Sequence, residues 1–176
     1  MSEAQGMGKE KMTEGHPSWN LIYKNLENLI IVPGHAVFIG NNREHATCID
    51  YWKGTFQAGY RGHDEARLYT EHIEAGVKFL AEDQKAMLLF SGGQTREEVG
   101  PYSEAQSYWY LAEACDWFGR IQSRERALTE EHARDSFENL LFSIYRFRQC
   151  TGMLPTNILV CGFEFKRNAT RCTLKH

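Results

Sequence analysis

The 176-residue chain sets 20 Lys and Arg against 23 Asp and Glu, a formal net charge of −3, with 42% hydrophobic and 24% charged residues. This is one domain's length, enough for a real core, in an ordinary globular composition. The slight acidity excludes general binding to nucleic acid or an anionic membrane face, which needs clustered Lys and Arg, and no run approaches the roughly 18 apolar residues of a bilayer span.

Residues 1–27 read as a flexible polar tail without the apolar core of a secretory leader, so a cytoplasmic location is expected, with one α/β domain over 28–176. The five cysteines form no CxxC and no tight cluster with His, so reduced thiols are expected rather than disulfides or a metal site. Apolar runs at Leu29–Val32, Met87–Phe90 and Ile158–Cys161, with a weaker one at Ala127–Leu128, predict strands. Helical stripes alternate with them: Tyr69, Ile73, Val77 and Leu80 within 66–80, Tyr108 and Ala112 within 103–118, and Phe137, Leu140, Leu141, Ile144 and Phe147 within 135–148. Such alternation implies crossover units and a three-layer, Rossmann-like, doubly wound and mostly parallel sheet. The aromatic segment Gly40–Gly62 reads as an insertion with a short helix near Thr47–Ala58. The polar residues 166–176 leave either a minimal sheet or one truncated at its C-terminus.

Four stretches carry candidate chemistry. In Val32-Pro33-Gly34-His35 a strand meets Gly at its carboxyl end, where backbone N–H groups can face a ligand and His35 can donate or titrate. Its plain alternative is a tight turn. In Ser91-Gly92-Gly93 two glycines after a buried strand suit an anion nest, and Ser103-x-x-Gln106 has capping-box spacing, so Glu104 opens a helix pointing at the same place. The third, Glu130 to Asn139, holds Arg134, Asp135 and Ser136 in one loop and first turn. Asp135 or Ser136 caps the helix, and Arg134 suits bidentate phosphate or carboxylate contact or an ion pair with Glu130. The fourth, Cys161-Gly162-Phe163-Glu164, leads to Arg167 three residues on.

Taken in this order, from about Leu29 to Arg167, these stretches resemble the signature of the DUF218 family, the YdcF-like and SanA-like group, most specifically in the SGG…SEA block followed by Glu130…Asn139. The resemblance implies a Rossmann-like sheet with four loops converging at one end. It carries over Gly34, Ser91, Gly92, Gly93, Ser103, Glu104, Glu130, Asp135, Ser136, Asn139 and Arg167 as motif positions. Many relatives place a His in the last loop where this chain has Glu164, and many are tied to the cell envelope, whereas no anchor is read here.

The expectation is a small-molecule site for an anionic or nucleotide-type ligand, with S-adenosylmethionine a candidate. Gly34 and His35 would lie beneath it, and Ser91–Gly93 with the Ser103 helix start would hold its anionic part. Arg134 or Arg167 would balance charge, Asp135, Ser136 and Asn139 would add polar contacts, and Glu104, Glu130 and Glu164 would serve proton transfer. An oligomer is compatible with this reading. The alternative is a non-catalytic interaction module using the aromatic insertion Tyr51–Tyr60 as a partner surface.

Overall fold

A computed structural model describes residues 22–54, 65–162 and 172–173. Its elements run β1 (Asn28–Pro33), β2 (Val37–Phe38), β3 (Trp52–Lys53), α1 (Glu65–Glu82), β4 (Ala86–Ser91), α2 (Glu104–Ala114), β5 (Ala127–Glu130), α3 (Ser136–Thr151), β6 (Asn157–Val160) and β7 (Cys172–Thr173). The main sheet has the order β5-β4-β1-β6-β7. Its first four strands are parallel, and β7 pairs antiparallel with β6.

The continuous apolar runs arise because the central strands are covered on both faces. Ile30, Val32, Leu88 and Phe90 join α1 and α2 in one core, and Leu29, Ile31, Met87 and Leu89 join Phe147 of α3 in the other. The fold is thus the expected α/β arrangement, a parallel sheet with helices on both faces. No helix among the described residues is long and apolar enough to cross a membrane.

Four local expectations are corrected. Tyr23 and Leu26, counted as tail, are buried in the α3-side core. Of the short helix expected near Thr47–Ala58, residues 55–58 lie outside the described residues, and the rest is two 3₁₀ turns, Glu44–Thr47 and Ile49–Tyr51, leading into β3, which pairs with β2 as an antiparallel ribbon. Residues 172–173, within the polar stretch from which no strand was expected, form β7 and pair with the backbone edge of β6. The second helical stripe, expected over 103–118, stops at Ala114, because Asp116, Trp117 and Phe118 adopt φ of 51°, 49° and 54°, followed by Gly119 at 76°. A left-handed turn costs about 1–2 kcal/mol per non-glycine residue. Complete burial of Trp117, whose Nε1 donates to Glu113 Oε1 at 3.0 Å, offsets it.

Gly76 lies in the middle of α1, where Ala is ordinarily better by about 1 kcal/mol. Here a Cβ would stand 2.5 Å from Val32 Cγ2, so the glycine lets the helix settle on the sheet. Gly76→Ala is therefore expected to destabilise by about 1–3 kcal/mol in urea unfolding, the range for an overpacked core, against the sign of helix propensity. A stabilised variant would show that α1 can lift off the sheet at little cost.

Candidate functional site

Parallel strands deliver all their following loops to one edge, and those loops are stitched together here by backbone hydrogen bonds. Gly34 N donates to Ser91 O (2.6 Å), Gly92 N to Glu130 O (2.9 Å), Gly93 N to Ala133 O (2.7 Å) and Cys161 N to Ile31 O (2.8 Å). Beside Gly34, Gly162 sits 3.5 Å, measured from an added Cβ, from the Pro33 ring. The predicted site positions Gly34, Ser91–Gly93, Glu130 and the start of α2 are therefore neighbours. Glu164 and Arg167 lie outside the described residues.

Glu104 stands at the centre of this edge. Ser103 caps α2 as expected, its Oγ accepting from Gln106 N at 3.0 Å, which aims the next side chain inward. Glu104 is 6% exposed. An added Cβ at Gly34 would come within 2.5 Å of Glu104 Cβ and Oε2, and one at Gly92 within 2.7 Å of Oε2. The two glycines thus make room for this carboxylate. Gly92 also has φ +155°, so a side chain there strains the backbone and cannot leave the fold untouched.

Thr95 Oγ1 donates to Glu104 Oε1 at 2.5 Å, whereas Oε2 accepts no hydrogen bond among the described residues. Burial raises the carboxyl group above its ordinary range, and the Thr95 hydrogen bond and the field of Arg96 pull it partly back. Around it lie His35, Tyr69, His72 and Tyr108. Tyr108 Oη accepts from His35 N at 3.1 Å, and the His35 ring stands 6.0 Å from Tyr69 and 6.3 Å from His72. Burial pushes the His35 imidazole down to about 4, leaving it neutral at physiological pH, and raises both phenols. Tyr69, His72 and Tyr108 escaped the sequence reading because helical stripes of aromatics signal core, and their polar ends gave no spacing signature.

The N–H groups expected to cradle an anion are engaged within the protein. Besides the contacts of Gly92 and Gly93, Glu104 N donates to Gly93 O and Ala105 N to Gly92 O, each at 3.1 Å. The polar feature aimed into this edge is a carboxylate, and the chemistry it offers is acceptance from a hydroxyl or cation, or proton exchange.

Glu130 is a structural knot. Its Oε2 accepts from Ser91 Oγ at 2.5 Å, and its Oε1 accepts from His132 N at 2.7 Å and Ala133 N at 3.2 Å. Asn139, from the first turn of α3, brings its side-chain amide within 2.9 Å of Ser91 Oγ. Ser91, Glu130 and Asn139 are all buried, at 0%, 4% and 7% exposure. The Arg134–Glu130 pair does not form, because Glu130 turns inward. Arg134 instead meets Glu138 at 3.0 Å with its side chain 79% exposed. Asp135 caps α3 through Glu138 N at 2.8 Å, and Ser136 opens the helix exposed to solvent. In the insertion, Trp52 is buried and Tyr51 stacks on His45 at 3.6 Å, so these two rings serve packing, while Phe56 and Tyr60 lie outside the described residues.

No protein-family model matches the chain, and no solved structure does. It is similar to an uncharacterized protein of Saccharomyces cerevisiae, YOR238W, at 29% identity over a 179-position alignment covering 78% of this chain. The alignment takes in 58% of the yeast protein, so the chain corresponds to little more than half of that relative's length.

Two outcomes separate the structural knot from the surface beside it. Ser91→Ala removes a buried donor to Glu130 and is expected to cost about 1–3 kcal/mol in urea unfolding, whereas Arg134→Ala leaves the midpoint unchanged. Equal effects would mean that the buried triangle is not holding the loops. For Glu104, a folded-state value above the unfolded one of about 4.3 means its stabilising contribution is complete below that value and lost as pH rises through the folded one. Glu104→Gln is therefore expected to gain stability relative to the native protein between pH 4 and pH 8, measured by urea titration at each pH. A constant difference would remove the desolvated carboxyl as its cause.

Proposed function

We propose that the protein is a DUF218-like ligand-binding protein, enzyme-like in its site, that takes a nucleotide-type small molecule at the carboxyl edge of β1, β4 and β6, with S-adenosylmethionine the candidate. The observation that carries this is Glu104, a buried carboxylate at the meeting of the strand-end loops, with one oxygen held by Thr95 and the other still able to accept. Ligands of open parallel sheets lie outside the carboxyl ends of the strands, where the strand order reverses. In this sheet β1 is followed by β4 and β5 on one side and β6 on the other, so the reversal falls between the β1 and β6 loops.

The site chemistry refines the ligand. The Gly92 and Gly93 N–H groups are spent on protein carbonyls, so the polar handle facing Glu104 is a hydroxyl or a cation rather than a phosphate. A nucleoside ribose supplies the first and a sulfonium or ammonium group the second. Neutral, half-buried His35 offers a flat face and a weak donor beside it, backed by the buried Tyr69 ring. Glu104, with its raised carboxyl, is the group suited to proton exchange.

Isothermal titration of the full chain with S-adenosylmethionine, with adenosine and ATP in parallel, tests the reading. Saturable binding that weakens at least tenfold in Glu104→Gln, about 1.4 kcal/mol, is expected. Undiminished affinity in that variant would take Glu104 out of the site. Absence of heat with all three compounds would sink the nucleotide assignment.

A further inference from the structure

We propose that the loop from Gln94 to Pro101 is a lid over the Glu104 carboxylate, latched by Thr95 and able to swing open from its base. Residues 94–103 leave the fold at Gly93 and rejoin it at Glu104, and these two ends are tied to one another, Glu104 N donating to Gly93 O at 3.1 Å. A surface loop with joined ends is an Ω-loop, which can move as a body without disturbing what lies below its neck. The neck itself is firm. Gly93 N donates to Ala133 O at 2.7 Å, and Ser103 is buried as the cap of α2.

Above the neck the loop contributes nothing to the core. Gln94, Glu97, Glu98, Gly100 and Pro101 are exposed, and none of residues 94–102 is buried. Segments without buried apolar side chains are the ones that open at low free energy. The loop keeps its own shape through the 3₁₀ turn Glu97–Val99, with Gly100 N donating to Glu97 O at 3.1 Å. Its return leg is pinned where Tyr102 stacks on Tyr110, their ring centroids 5.9 Å apart. Just before that point Gly100 has φ 65° and ψ −139°, and an added Cβ there would meet nothing within 4 Å, so it is a joint with room to turn.

Two side chains hold the lid down. Thr95 Oγ1 donates to Glu104 Oε1 at 2.5 Å, and Arg96 lies across the backbone of Gly54, just after β3, filling the space a Cβ would need there. The Arg96 guanidinium also lends its field to Glu104. A hydroxyl donating to a carboxylate is among the stronger hydrogen bonds, so the latch is worth more than an ordinary loop contact. It engages Oε1 and leaves Oε2, which lies against Gly34 and Gly92, for a ligand hydroxyl or cation. The lid can therefore close over an occupied site and exclude water from it. Its service to a ligand rests on the reading of Glu104 as the ligand-facing group, whereas its motion does not.

Trypsin reads the opening, because Arg96 is its target within the lid and is engaged across Gly54 when the lid is down. Cleavage in a folded protein follows the population of the open form when reclosing is fast. The full chain is digested in native buffer with no ligand, and loss of the Arg96–Glu97 bond is followed by mass spectrometry against loss of Arg126–Ala127. Arg126 donates to the backbone oxygens of Asp83, Ala86 and Leu80 at 2.7, 2.8 and 2.9 Å, so its bond reports opening of the whole fold. Thr95→Val is expected to speed the Arg96 cut about tenfold, as for loss of a hydrogen bond to a charged acceptor, and the Arg126 cut by much less. Thr95→Ser, which keeps the hydroxyl, is expected to stay near the native rate. An unchanged Arg96 cut in Thr95→Val overturns the proposal, since the hydroxyl then holds nothing down. Equal acceleration at both bonds overturns it as well, because the substitution then loosens the fold and not the lid. With no ligand present, either failure counts against the lid and leaves the nucleotide assignment to its own titration.

Discussion

Taking the Glu130 carboxylate out of water would be costly in a loop with nothing to replace the lost hydration, and the carboxyl edge of this sheet is arranged around replacing it. One oxygen receives the Ser91 hydroxyl at the end of β4, and the other receives the N–H groups of His132 and Ala133. Asn139 reaches the same hydroxyl from α3. With the 131–133 backbone held in this way, Ala133 O is placed to accept from Gly93, and Gly93 O and Gly92 O to accept from the first turn of α2. The position of Glu104 is therefore inherited from that of Glu130: one buried acid organises the loops, and the second is presented by them.

Two carboxylates so close in the fold have been given opposite environments. Glu130 is saturated with short-range donors and belongs to the architecture. Among the described residues Glu104 has a single hydroxyl partner and otherwise fills the space that side chains at Gly34 and Gly92 would take, where desolvation raises its proton affinity. Environment alone thus separates the two acids, one fully hydrogen-bonded and one desolvated. The glycines gain a different meaning from it. Gly34 and Gly92 look, as sequence, like places where a backbone approaches a phosphate, yet the close approach is to a side chain of the same protein.

The two ends of the sheet are built differently. One side of the sheet ends in β7, a two-residue antiparallel strand, and the other in β5, four residues long. Short edge strands limit unwanted pairing. Clefts flank Thr129 on both faces of the β5 edge, with the exposed Tyr145 beside one and Tyr110 beside the other.

The alternation of apolar runs with 3.6-residue stripes was enough for the sequence alone to determine the α/β class, the parallel strands at Leu29, Met87 and Ile158, and the cap at Ser103, while it left Asp135 and Ser136 as equal choices for the cap of α3. Each depends on interactions within a few residues or on burial of a whole element. The tertiary structure alone decided which polar groups face which. Glu130 and Arg134 are four residues apart and looked like partners, but Glu130 faces Ser91, 39 positions away, because the sheet register puts their strands side by side. The aromatic neighbours of Glu104 come from α1, α2 and the β1 loop, and no spacing along the chain encodes that meeting. The left-handed turn at Asp116–Gly119 was likewise invisible, since nothing local favours Trp117 or Phe118 with positive φ. Local propensity is written in neighbouring residues, whereas burial of Trp117 and the pairing of distant polar groups exist only once the layers have closed.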